Sequence, residues 1–330
     1  MNKFLASIAL SMFCTENQVT AGTWEKLPPL PDGNGGFICG AVDNDIVVAG
    51  GTNWKEDTKR WLDRIWVFEP DRNAWRDAGK LPAPVAYAVC SQSKEGLWFA
   101  GGSSGTQAHT TLWLLDRKFS VTTVATLEQR FVYGTGAILD GKLHVIGGAE
   151  DAAKAETATK ACYAIDLLTG KAKHISSLPV TSFIGGATVA CKDRLFVFGG
   201  AEWDSASKSV ANGTATFAYS ARKDSWESIA PFPFATRGVA AVALDSRHIL
   251  IAGGYKTGVD KFTDDAFIFD TEAGKYQKTT PLPYLAMVGL VQADDWVYVL
   301  GGEDRGKHRT DAVWRVRSKD LLSAAQPLSH

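Results

Sequence analysis

An all-β propeller of six blades is the fold that this 330-residue sequence predicts, and two observations predict it. Six diglycines, at Gly50-Gly51, Gly101-Gly102, Gly147-Gly148, Gly199-Gly200, Gly253-Gly254 and Gly301-Gly302, each close a short run of apolar and β-branched residues. Their successive spacings of 51, 46, 52, 54 and 48 residues are those of a repeat. A unit of about 50 residues holding several short strands suits one four-stranded blade, and such blades close into a ring. The repeat runs unbroken over residues 22–317, so the chain is read as one domain followed by a C-terminal tail, 318–330.

The first blade spells out the unit. Gly40-Ala41-Val42 belongs to an inner strand a, Asp45-Ile46-Val47-Val48-Ala49 is strand b, Ile65-Trp66-Val67-Phe68 is strand c, and Trp75 marks an outer strand d. Strand b recurs as Gly96-Leu97-Trp98-Phe99-Ala100, as Lys142-Leu143-His144-Val145-Ile146 and in the three later blades. These nearly continuous apolar runs suit strands covered on both faces by neighbouring blades. The diglycines have a mechanical reason, because strands crowd near the axis and a side chain there would clash. None is followed by the Lys-Ser/Thr of a phosphate loop or completes a dinucleotide fingerprint. The period and its Gly-Gly mark together resemble the kelch repeat.

An aromatic residue stands six positions before an apolar-proline step at Trp24, Trp75, Trp226 and Tyr276. These are expected to be outer-strand packing residues; blades two and three depart, with Phe119 offset and Ala172 at the equivalent place. Trp24 carries this mark with no blade in front of it. The last repeat has the matching gap, since Trp314-Arg315-Val316-Arg317 is a strand c with no strand d after it. The N-terminal strand is therefore expected to complete the last blade and remove the exposed sheet edges.

Lys3 precedes an apolar stretch from Phe4 to Phe13, and Val19-Thr20-Ala21 offers a small residue for cleavage, so residues 1–21 read as a secretory signal. The expected location is periplasmic or secreted. The stretch is too short for a membrane span, and Phe13 is too bulky to precede a lipid-bearing Cys14. A net charge of −1 leaves no basic footprint for nucleic acid. Cys39, Cys90, Cys162 and Cys191 have no metal-ligand spacing and are expected to be buried free thiols. The histidines are scattered without a partner in register, so no metal is expected.

Function in a propeller lives at the mouth of the central channel, on loops that the blades bring together. The residues just after the diglycines include Glu150, Glu202 and Glu303, with Asn53 in a similar place in the first blade. The approaches to strand a add Arg130 and Arg237. The densest cluster is Gly302-Glu303-Asp304-Arg305-Gly306-Lys307-His308-Arg309-Thr310-Asp311-Ala312-Val313.

That segment resembles the Gly-Glu-x-x-x-Gly-x-Arg-Thr-Asp-Ala-Val segment of the bacterial kelch sialic acid mutarotases, also called N-acetylneuraminate epimerases. The resemblance implies that Glu303 and Arg309 are the active-site residues. In better known members the Glu/Arg blade is followed by one beginning Gly-Gly-Phe and running to Ala-Gly-Gly. Here the corresponding blade is N-terminal, from Gly35-Gly36-Phe37 to Ala49-Gly50-Gly51. The chain thus resembles the cyclically permuted branch, a change that a ring tolerates because every blade keeps its neighbours. Val85 departs from the pattern, standing where that family has an arginine.

Interconverting the anomers of a reducing sugar requires a proton removed from the anomeric hydroxyl and one delivered to the ring oxygen. A carboxylate and a mobile proton source suffice, and no cofactor is required. Glu303 is the candidate acid/base, and Arg309 would hold a substrate carboxylate or polarise the anomeric centre. Arg130, Arg237, Glu202, Glu150 and Asn53 are candidate substrate contacts. The expected ligand is a small acidic sugar, which the resemblance implies to be N-acetylneuraminate; the alternative is a non-catalytic kelch propeller that binds a glycan or a protein at its channel face.

Overall fold

A computed structural model describes residues 23–258 and 261–328, so the leader expected over residues 1–21 lies outside the described residues. Among those described, six antiparallel sheets form six blades, each running from inner strand a to outer strand d. Blade 1 comprises Ile38–Val42, Asp45–Ala49, Arg64–Glu69 and Ala74–Lys80. Blades 2 to 5 begin with strands a at Val89–Ser93, Thr135–Leu139, Ile184–Cys191 and Ala240–Ala243. Blade 6 holds Met287–Ala293, Trp296–Arg305 and His308–Arg317. Each strand a lies beside strand a of both neighbouring blades, which closes an inner ring around the axis.

The fourth strand of blade 6 is Glu25–Lys26, with Glu25 opposite Arg315 and Lys26 opposite Trp314. The ring is therefore closed by the N-terminal strand. Backbone hydrogen bonds continue the closure past the strand, from Leu27 N to Val313 O at 2.9 Å and from Leu30 N to Asp311 O at 2.8 Å.

Strand b residues are apolar because they are covered twice, and the core is accordingly a set of interblade clusters rather than one centre. Val47, Ala49, Leu97 and Phe99 share the cluster between blades 1 and 2. Leu27, Leu30, Ile46, Val48, Leu300 and Val313 share the one that joins blade 6 to blade 1. The sealing interface is thus built like the others.

The diglycines join the blades through their backbone. The second glycine donates to a carbonyl at the approach to the next strand a: Gly51 to Val85, Gly102 to Phe131 and Gly148 to Phe183, each at 2.8 Å, Gly254 to Ala286 at 2.9 Å, and Gly302 to Asn34 at 2.7 Å. Gly51 has φ +97°, and a Cβ there would strike the Asn34 amide, so only glycine fits the close approach.

The outer aromatics clasp neighbouring blades. Trp24 Nε1 donates to Pro281 O at 2.7 Å, Trp75 Nε1 to Pro28 O at 3.0 Å, and Trp226 Nε1 to Ser176 O at 2.7 Å. The Tyr276 hydroxyl reaches Ala230 O at 3.3 Å in the same way. Each accepting carbonyl lies just beyond the outer strand of the preceding blade. In blade 2, Phe119 instead packs at the interface with blade 1, under the Arg76 guanidinium 4.6 Å from its ring centre.

Beyond residue 317 the chain forms a short helix, Ser318–Ser323, and then Gln326–Pro327, which pairs with Lys275–Lys278 as a fifth strand on blade 5. The four described cysteines are free; Cys162 and Cys191 are buried, whereas Cys39 and Cys90 are only half-buried, a departure from the expectation for that pair. Both lie on strands a, where one face borders the axis rather than a neighbouring sheet. No helix among the described residues is long and apolar enough to cross a membrane.

Candidate active site at the channel mouth

The diglycines and the approaches to strand a lie at one end of the blades, and hairpins after strand b build over it. In blade 6 the hairpin is continuous with the blade, because strands b and c run on as Trp296–Arg305 and His308–Arg317 around a turn in which Lys307 has φ +55°. The register pairs Gly302 with Thr310 and shifts on either side of that pair. Glu303 and Arg309 thereby meet across the hairpin, with Arg309 Nη2 at 3.1 Å from Glu303 Oε2.

The two partners differ in exposure. The Arg309 side chain is 5% exposed and that of Glu303 26%. Arg309 also donates Nη1 to His308 O at 2.9 Å, so these contacts use two of the five N–H groups of its fork. Glu303 Oε1 has no hydrogen-bond partner among the described residues. The arrangement is a buried cation whose charge is compensated, beside a carboxylate with one oxygen committed and one open.

Blade 1 makes room for this arginine. A Cβ on Gly35 would lie 2.5 Å from Arg309 Cδ and 2.8 Å from its Nε, and one on Gly33 would collide with the Arg309 carbonyl. The adjoining Gly36, at φ +68°, is in turn covered by the ring of Tyr87. Gly35→Ala is therefore expected to displace the guanidinium and weaken its contact with Glu303 while leaving the blades intact. An unshifted Arg309 side-chain resonance in that variant would refute the steric argument.

Tyr87 belongs to a series of backbone hydrogen bonds that runs around the axis from blade 1 to blade 5. Tyr87 N donates to Gly36 O at 2.8 Å, Tyr133 N to Tyr87 O at 3.1 Å, Gly185 N to Tyr133 O at 2.9 Å, and Gly238 N to Gly185 O at 2.6 Å. All five residues adopt the left-handed conformation, with φ between +60° and +68°. Glycine accepts it freely, but a tyrosine costs of the order of 1–3 kcal/mol, a strain that concentrates at functional sites. The side-chain rings of Tyr87 and Tyr133 pack with centres 4.6 Å apart, tilted by 44° to one another. Burial raises the Tyr133 phenol above its usual range, and the charges of Tyr87 and Glu303 add to the effect. Burial also opposes ionisation of Tyr87, but Lys59, Thr52 and Arg309 outweigh it and bring that phenol below its usual range.

Of the residues selected from the sequence, the structure brings together Glu303, Arg309 and Arg237. Arg237 holds Asn212 Oδ1 at 2.6 Å and lies over the Tyr255 ring at 4.5 Å. Burial lowers its pKa, opposed by the charges of Tyr255 and of Glu303 across the mouth. Asn53 is buried and accepts from Arg60 Nε at 2.9 Å within the hairpin Thr52–Lys55 and Thr58–Trp61. Glu202 Oε2 accepts from both the backbone N–H and the hydroxyl of Thr181, and no contact joins it to the Glu303–Arg309 pair among the described residues. Glu150 and Arg130 are exposed, with no side-chain contact to the pair among the described residues.

Arg130 and Arg237 are not structural equivalents. Arg130 comes just before Phe131, whose carbonyl receives Gly102, whereas Arg237 follows Thr236, the carbonyl facing Gly199. The two are therefore two positions out of register. The tyrosines escaped sequence reasoning because an aromatic opening an inner strand reads as core. The available signal was that Gly36, Gly185 and Gly238 occupy the same place in other blades.

Comparison with known proteins gives two kinds of relative. The Kelch motif matches residues 36–82, which cover blade 1. Kelch-like protein 35 of Mus musculus is 23% identical over 86% of this chain and 46% of its own length. The N-acetylneuraminate epimerase of Brucella suis is 32% identical over 25% of this chain and 26% of its own. That of Salmonella typhi is 24% identical over 59% of this chain and 58% of its own. The chain thus spans between about a quarter and three-fifths of the length of these relatives. It is a six-bladed β-propeller that carries a kelch motif, similar at low identity both to N-acetylneuraminate epimerases and to Kelch-like proteins.

Proposed function

We propose that the protein is a mutarotase that interconverts the anomers of an acidic sugar, with N-acetylneuraminate as the leading substrate. The observation that carries this reading is the pairing of buried Arg309 with a carboxylate that keeps one oxygen open at the channel mouth. Glu303 takes the proton of the anomeric hydroxyl as the bond from the anomeric carbon to the ring oxygen breaks, and returns it to the carbonyl oxygen on reclosure. The uncommitted N–H groups of Arg309, with Arg237 across the mouth, receive the substrate carboxylate as a planar fork. The similarity to N-acetylneuraminate epimerases supports the sugar class.

Anomer-resolved NMR of freshly dissolved N-acetylneuraminate, with and without protein, tests it directly. Faster equilibration is expected, with glucose and galactose poor substrates. Arg309→Lys keeps the charge but loses the fork, and should slow the reaction about tenfold or more, the scale of a hydrogen bond to a charged group. Galactose equilibrated as fast as N-acetylneuraminate would defeat the acidic-sugar assignment. A second reading, a propeller that only binds, is favoured by the 86% of the chain matched to Kelch-like protein 35. It predicts no acceleration with any sugar.

A further inference from the structure

Ring opening needs two proton transfers, and the Glu303–Arg309 pair accounts for one. An arginine does not release a proton at working pH, so the ring oxygen needs another donor. The hydrogen-bonded series around the axis presents two phenols for that role. The Tyr133 hydroxyl already donates to Ala152 O at 3.3 Å, and its phenol holds its proton tightly. The phenol of Tyr87 is placed differently.

Tyr87 and Arg309 lie against the same dipeptide, since Gly35 accommodates the guanidinium and Gly36 the tyrosine ring. The strained left-handed backbone at Tyr87 holds its ring over Gly36 instead of within the blade. The Lys59 ammonium stands 4.8 Å from the centre of that ring, and Trp61 meets its edge with centroids 5.7 Å apart. Thr52 Oγ1 is 3.2 Å from the Tyr87 hydroxyl and 3.1 Å from Gly35 O. Its single proton can turn from that carbonyl to a phenolate. A cation and a hydroxyl rotor are what a phenol needs in order to give up a proton and recover it.

Resting on the mutarotase reading, we propose that Tyr87 is a second catalytic residue, the acid that protonates the sugar's ring oxygen while Glu303 deprotonates the anomeric hydroxyl. On opening, the C–O bond to the ring oxygen breaks, the Tyr87 proton passes to that oxygen, and a phenolate remains beside Lys59. The carbonyl rotates. On closing, the phenolate takes the proton back as the hydroxyl attacks the carbonyl carbon, and Glu303 protonates the carbonyl oxygen. No proton is gained or lost over the cycle. The lowered Tyr87 phenol and the raised Tyr133 phenol agree with this division.

The test compares Tyr87→Phe with Glu303→Gln in the anomer assay. The phenylalanine keeps the ring, so melting should be retained and kcat should fall about a hundredfold, with KM little changed. Lys59→Gln, which leaves the phenol in place, should lower kcat in the same sense. A Tyr87→Phe variant at the wild-type rate, beside an impaired Glu303→Gln, overturns the role of Tyr87 and leaves the mutarotase reading standing. A raised KM with unchanged kcat also overturns it, by making Tyr87 a binding group. A wild-type protein that accelerates no sugar removes both.

Discussion

Replacing Glu303 with glutamine should slow anomer interconversion by about a hundredfold or more, the scale expected for loss of a general acid/base, in a protein that still folds. Glutamine keeps the shape and an oxygen for Arg309 Nη2, so the hairpin has no reason to rearrange. What disappears is a group that can take the proton of an anomeric hydroxyl. The Arg309 guanidinium is buried and its charge is then balanced only by hydrogen bonds, so a modest fall in melting temperature should accompany the change. Circular dichroism and thermal melting separate the two effects. A folded Glu303→Gln protein with full activity would take Glu303 out of the reaction.

That prediction could be framed from sequence because the segment from Glu303 to Arg309 resembles that of the kelch sialic acid mutarotases, whereas the hairpin that makes the two side chains meet is seen in the structure. The blades follow from the residues themselves. Strand b of blades 1, 2 and 3, Asp45–Ala49, Gly96–Ala100 and Lys142–Ile146, stands where its apolar run and diglycine place it. The unmatched Trp24 likewise points to the closing strand. What the sequence left unread depends on register and not on period. Glu202 and Glu150 follow Gly-Gly-Ala alike, yet one is tied to Thr181 and the other is exposed. Strand Gln326–Pro327 has only two residues and no apolar pattern. Tyr87 and Tyr133 are distinguished by a backbone angle, which composition does not display.

The closing strand predicts the largest effect on stability. Deleting residues 1–30 removes Glu25–Lys26 and the clasp from Trp24 to Pro281, and with them Leu27 and Leu30, which are 4% and 3% exposed. The deletion also breaks the ion pair of Glu25 with Arg315 at 2.8 Å, but the Glu25 side chain is half exposed, so that pair contributes at most about 1 kcal/mol. The leucines decide the outcome. Losing a buried leucine side chain costs about 2–5 kcal/mol, and two of them approach the whole stability of a domain, about 5–15 kcal/mol. A fall in Tm of roughly 10 °C or more should follow, since about 1 kcal/mol moves a domain of this size by a few degrees. The deletion also leaves His308–Arg317 as an uncovered edge, inviting association with another copy. Melting curves and light scattering of the truncated and full chains measure both consequences. A truncated protein that stays monomeric and melts with the full chain would mean that the first strand merely rests on blade 6, and that the ring is held by the other five interfaces.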